Sequence, residues 1–113
     1  IAYVNYCGLP GDKYHAVAEK YLPNGSCGVV SFGVKGGREA AAAFMGHLKI
    51  AAIETHVADA RTCCLHPASS THRQMNDEQL IAAGVQPDLV RMSCGLEDKN
   101  DLIHDIAQAL DQI

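Results

Sequence analysis

The chain has 113 residues and a formal net charge of −4, with 48% hydrophobic and 19% charged residues. That length fits one small domain with a real but modest core, and the composition excludes a disordered chain. Lys and Arg are scattered rather than clustered, which excludes a basic nucleic-acid face, and no apolar run approaches the roughly 20 residues of a membrane helix.

The chain opens at Ile1 directly into IAYVNY, which reads as the middle of a longer protein, and residues 1–6 alternate weakly enough for a short strand. GLPGD (8–12) is a turn, and Asp12 is the expected N-cap of an amphipathic helix over 13–22 with Tyr14, Val17, Ala18, Tyr21 and Leu22 on one face. Pro23-Asn24-Gly25 ends it. CGVVSFGV (27–34) is rich in β-branched and aromatic residues and predicts a strand, broken by Gly36-Gly37. REAAAAFMGHLK is a helix by propensity, with Phe44, Met45 and Leu48 on one face. Two short strands are predicted over 50–57 and 62–66, with Asp59 between them, followed by the loop 67–72. Asn76 with Gln79 makes a capping box for a short helix ending at Gly84. Residues 89–94 form a further strand. Asp98 caps the last helix, whose Leu102, Ile103, Ile106, Leu110 and Ile113 share a face. Helices with one apolar face each suit a single sheet covered on one side. The expected fold is an α/β two-layer sandwich with a small, mostly antiparallel sheet.

Several patterns carry possible chemistry. Cys63, Cys64, His66 and His72 lie close together, but neighbouring strand residues point to opposite faces, so Cys63 and Cys64 do not readily share a metal. Buried thiols and loop histidines are the expectation, with no metal site. The five cysteines form no CxxC and no disulfide framework, which points to a reducing, cytoplasmic setting. Lys35-Gly36-Gly37 lacks the rest of a phosphate-loop pattern and reads as a turn into a helix. HPASSTH (66–72) is a polar loop that fits either a functional segment or a solvated turn.

Arg91 is the sharpest candidate. It sits inside the apolar run Leu89, Val90, Arg91, Met92, Ser93, Cys94. Arginine is almost never fully buried unless paired, and its planar fork grips a carboxylate through two parallel hydrogen bonds. An internal salt bridge, or an edge strand whose arginine reaches water, accounts for the pattern equally well.

LVRMSCGLEDKNDLIHDIAQAL resembles the C-terminal signature of the Cys/Met-metabolism family of pyridoxal-phosphate enzymes. DARTCCLHPASSTHRQMNDEQLIAAGVQPDLVRMS and VNYCGLPGDKYHAVAEKYLPNGSCGVVSFGVKGGREAA extend the resemblance over essentially the whole chain. HPASSTHRQM is most similar to the branch that acts on O-acetylhomoserine with sulfide. Cystathionine γ-synthase and the methionine and cystathionine γ-lyases are alternatives, and a stand-alone amino-acid-binding or regulatory module is the reading from another class.

The resemblance implies that residues 1–113 are the smaller C-terminal domain of a fold-type-I enzyme whose large cofactor domain lies outside this chain. The parent would replace the acetate of O-acetylhomoserine with sulfide, giving homocysteine for methionine biosynthesis. It implies a cytoplasmic homotetramer with no nucleic-acid or membrane partner. Arg91 matches the arginine that binds the substrate α-carboxylate. Thr62 stands where the family usually has a serine, and is the second substrate-binding candidate. The family's GDA is Ala58-Asp59-Ala60 here, and loss of that glycine is expected to affect the local backbone. The resemblance implies that the Schiff-base lysine lies in the large domain, and none of Lys13, Lys20, Lys35, Lys49 and Lys99 sits in a matching motif. The isolated chain is expected to be inactive.

Overall fold

A computed structural model describes residues 1–113. Five strands form one sheet: β1 (Tyr3–Asn5), β2 (Val29–Gly33), β3 (Ala52–Ile53), β4 (Cys63–Leu65) and β5 (Leu89–Ser93). Their order is β1-β2-β5-β4-β3. All neighbours pair antiparallel except β3 with β4, which is parallel, so the expected mostly antiparallel sheet is present with one parallel edge.

The α-helices are α1 (His15–Tyr21), α2 (Gly37–His47), α3 (Asp77–Ala82) and α4 (Lys99–Leu110). Alternation along the strands sends Phe32, Cys64, Val90 and Met92 to one face, where they pack with Ala41, Phe44 and Met45 of α2 and Ala109 of α4. Phe32 and Phe44 meet edge to face, with ring centroids 5.7 Å apart. This single core is the two-layer sandwich expected from the sequence.

Helix ends follow local chemistry where the sequence offers it. Asn76 and Gln79 form the reciprocal capping box of α3, and the Asp98 side chain accepts from the Asn100 amide at the start of α4. Gly36 and Gly37 have φ of 105° and 74°, a left-handed entry into α2 that a side chain would resist.

Four expectations are corrected. Tyr14, not Asp12, stands at the N-cap of α1, because Asp12 uses its carboxylate earlier, accepting from the amides of Tyr6 (3.2 Å) and Tyr14 (2.9 Å). The apolar face of α1 is largely open in this chain: Ala18 is its one buried residue, while Val17 and Tyr21 are exposed. β3 is two residues rather than the run 50–57. On α4, Ile103 faces solvent and Ile113 lies beyond the helix; Leu102, Asp105 and Ala109 form the buried stripe, with Ile106 and Leu110 packed beside it.

Candidate functional site

β5 is the central strand of the sheet. Val90 and Met92 enter the core with α2 and α4, so Arg91 and Ser93 project from the opposite face. Across the ladder Arg91 lies between Ser31 of β2 and Leu65 of β4. It is half-buried and makes no ion pair with any carboxylate. One Nη2–H donates to the Thr55 carbonyl at 2.7 Å. Its Nε is the one buried side-chain nitrogen or oxygen in the chain without a hydrogen-bond partner. Neither ordinary account of a strand arginine fits, since there is no salt bridge and the strand is not an edge. An orphaned donor of this kind is rare, because leaving it unmade costs free energy.

The segment 54–62, joining β3 to β4, lies over this face. The Ser93 hydroxyl oxygen accepts from the Ala58 amide at 3.0 Å. Ala58 has φ 59°, the single non-glycine residue with positive φ. The backbone is left-handed here, and the alanine carries the strain.

Thr62 is fully buried, and its polar groups are engaged within the chain. Its amide and hydroxyl donate to the two carboxylate oxygens of Glu97 (2.8 and 2.7 Å), and its hydroxyl oxygen accepts from the Gly95 amide (2.8 Å). These Thr62 bonds, the backbone donation above the side-chain one, hold the Glu97 carboxyl below its usual range. Alternation along β4 places Cys63 and Leu65 on the Arg91 face and sets Thr62 off it. The structure thus does not bring Thr62 and Arg91 together as two open groups; it joins both to the same segment.

The other tempting patterns resolve as architecture. Cys64 lies in the core, and Cys63 points the other way, donating to the Arg61 carbonyl at 3.3 Å. Desolvation pushes both thiols up, Cys64 to about 12, so neither is a reactive thiolate near neutral pH. All five cysteines are free. In HPASSTH, His66 is buried; its Nε2–H donates to the Pro87 carbonyl (2.8 Å) and its Nδ1 accepts from the Ser69 hydroxyl (2.9 Å), a tautomer assigned from this network. Ser70 donates to the His66 carbonyl (2.7 Å), and Arg38 of α2 donates to the Ala68 carbonyl (2.6 Å). Ser93 and Glu97 were missed by sequence reasoning. Nothing in local spacing marks them, because both act on a segment distant in the chain.

The Cys/Met metabolism PLP-dependent enzyme family model matches residues 1–111. The chain belongs to this family. It is 44% identical over 110 residues to O-acetyl-L-homoserine sulfhydrylase 1 of Thermus thermophilus, covering 97% of this chain and 26% of that protein. It is 43% identical over 111 residues to homocysteine synthase of Schizosaccharomyces pombe, again covering 26% of the relative. A crystal structure of an O-acetylhomoserine (thiol)-lyase from Campylobacter jejuni, which carries N′-pyridoxyl-lysine-5′-monophosphate, superposes with a TM-score of 0.84 at 35% identity. That match covers 96% of this chain and 26% of the other. The chain therefore spans about a quarter of the length of these relatives.

The family depends on pyridoxal phosphate. All five lysines are exposed in this chain. No helix is long and apolar enough to cross a membrane.

Proposed function

We propose that this chain is the substrate-carboxylate-binding C-terminal domain of an enzyme that replaces the acetate of O-acetylhomoserine with sulfide, forming homocysteine. The observation that carries this reading is the Arg91 guanidinium, mid-sheet, without a carboxylate partner and with a buried, unused Nε–H. The names of the relatives support the substrate class. The replacement itself is chemistry of the cofactor-binding part of the enzyme; this chain contributes grip and orientation.

A carboxylate docked on two N–H groups of the guanidinium receives two parallel, charge-assisted hydrogen bonds in a plane fixed by the fork. Holding that group in one orientation fixes the direction of the bonds at the adjacent Cα, which is where proton removal must begin. Thr62 serves the same site indirectly, by tying the end of the 54–62 segment to Gly95 and Glu97.

The test is steady-state kinetics of the full-length enzyme. Arg91→Ala removes two charge-assisted bonds, worth about 3 kcal/mol together, and should raise KM for the amino acid on the order of 100-fold. Arg91→Lys should recover only part of this, because a point charge does not reproduce the fork. An unchanged KM in Arg91→Ala would sink the assignment. Comparing acetyl-, succinyl- and phospho-homoserine separates the proposed substrate from those of sister activities.

A further inference from the structure

Two residues of β5, Arg91 and Ser93, stand on the same face two positions apart, and both are hydrogen-bonded to the 54–62 segment. Arg91 reaches its beginning, at the Thr55 carbonyl; Ser93 reaches its middle, at the Ala58 amide. Residues 54–61 are all exposed, so no core packing fixes this stretch. Its far end is fixed separately, through Thr62 on Glu97 and the Leu96 amide on the Ala60 carbonyl (2.8 Å). Between the beginning and the far end, the strained Ala58 turn has the Ser93 hydroxyl as its hydrogen-bonded tie to the sheet. Such a conformation persists only where its surroundings impose it.

We propose that Ser93 is a positioning residue for substrate binding: by holding the Ala58 amide it keeps the Thr55 carbonyl on Arg91, which orients the guanidinium for the incoming carboxylate. The Thr55 contact occupies one Nη2–H and so restrains the rotation of the fork. Without the Ser93 latch the segment relaxes, Thr55 leaves Arg91, and the long side chain samples other rotamers before binding, which weakens affinity through lost preorganisation. This rests on Arg91 being the carboxylate anchor.

The experiment is a double-mutant cycle in the full-length enzyme, with KM for the amino-acid substrate and the Kd of unreactive L-2-aminobutyrate as readouts. Ser93→Ala should raise both roughly five-fold, the effect of about one hydrogen bond, with kcat little changed. In an Arg91→Ala background, Ser93→Ala should change neither, because its effect runs through the arginine. A merely structural serine would lower stability and give the same fold-change in both backgrounds; that result, or no rise in KM in Ser93→Ala, overturns the proposal. Ser93→Cys, close in volume but a much weaker acceptor, carries the same test where Ser93→Ala folds poorly. If Arg91→Ala alone leaves KM unchanged, the carboxylate reading fails; if it raises KM while Ser93→Ala does not, the role of Ser93 alone fails.

Discussion

Asp105 on α4 is almost fully buried, yet its carboxylate accepts three consecutive backbone amides: Lys49 on Oδ1 (2.8 Å), and Ile50 (2.8 Å) and Ala51 (3.0 Å) on Oδ2. It thereby closes the turn that leads from α2 into β3, immediately before the segment over Arg91. Asp105→Ala leaves all three amides without that acceptor. Lys49 and Ile50 are exposed and can turn to water, whereas Ala51 is buried. Counting one charge-assisted bond lost outright and two lost in part gives about 3 kcal/mol. With an unfolding entropy near 2.1 cal/mol/K per residue, that lowers Tm by about 12 °C for a chain of this length. Acid should erase the difference. Burial works to raise the carboxyl pKa, but the amides of Ala51, Lys49 and Ile50 and the Gln108 side chain outweigh it, and the net value lies below the usual aspartate range. A folded pKa depressed below the unfolded one means that the contribution is complete at neutral pH and is lost as pH falls below about 4 towards the folded value. Thermal unfolding of this chain followed by circular dichroism, at pH 7 and pH 3, tests both points. A Tm within about 3 °C of wild type at pH 7, or a gap that widens on acidification, would refute the reasoning.

Gly95 is a place where two backbones touch: a Cβ there would lie 2.4 Å from the Ala60 carbonyl oxygen and 2.5 Å from both the Arg61 carbonyl carbon and the Thr62 nitrogen. No flexible side chain is present to yield, so Gly95→Ala should destabilise by about 2 kcal/mol in urea unfolding, and an unchanged midpoint would show that segment 60–62 moves freely. Ala58→Gly should do the opposite. Relief of a left-handed alanine, about 1–2 kcal/mol, outweighs the entropic cost of glycine, about 0.5–1 kcal/mol, leaving a net gain of up to about 1.5 kcal/mol. A lower urea midpoint than wild type would show that Ala58 is not strained.

Features coded by a few adjacent residues were legible. The capping box at Asn76 and Gln79, the Asp98 cap and the glycine entry to α2 each depend on partners within four positions, and each is present. Residues 50–57 were misread as one strand for a physical reason. Their Ile and Val residues suit a strand, but Asp105, more than fifty residues away, captures the amides of Lys49, Ile50 and Ala51. Only Ala52 and Ile53 then join the ladder. Arg91 was legible as a charge inside an apolar run. Its actual contact, the Thr55 carbonyl, was not, because it spans 36 positions of chain. Thr62 is a candidate only through the family resemblance, and the direction of its hydroxyl is set by Glu97, 35 positions on.

The arrangement around Arg91 follows from one topological constraint. In an antiparallel sheet a tight turn suffices to join neighbours, but β3 and β4 run parallel, so the chain leaving Ile53 must return to the starting end of its neighbour. Such crossovers are commonly a dozen residues or more and contain a helix. The 54–62 connection is too short for that and remains irregular. Its backbone groups still need partners. Arg91 meets Thr55, Ser93 meets Ala58, Leu96 meets Ala60 and Glu97 meets Thr62, so every one of these bonds comes from β5 or the residues just after it. The Glu54 amide is held by the Cys64 carbonyl of β4 (3.1 Å), and the bonds from β5 and the residues after it draw the rest of the crossover across the Arg91 face and against the guanidinium. A wholly antiparallel sheet of these strands would need no such crossover, and Arg91 would lack the Thr55 contact that limits its rotamers before binding.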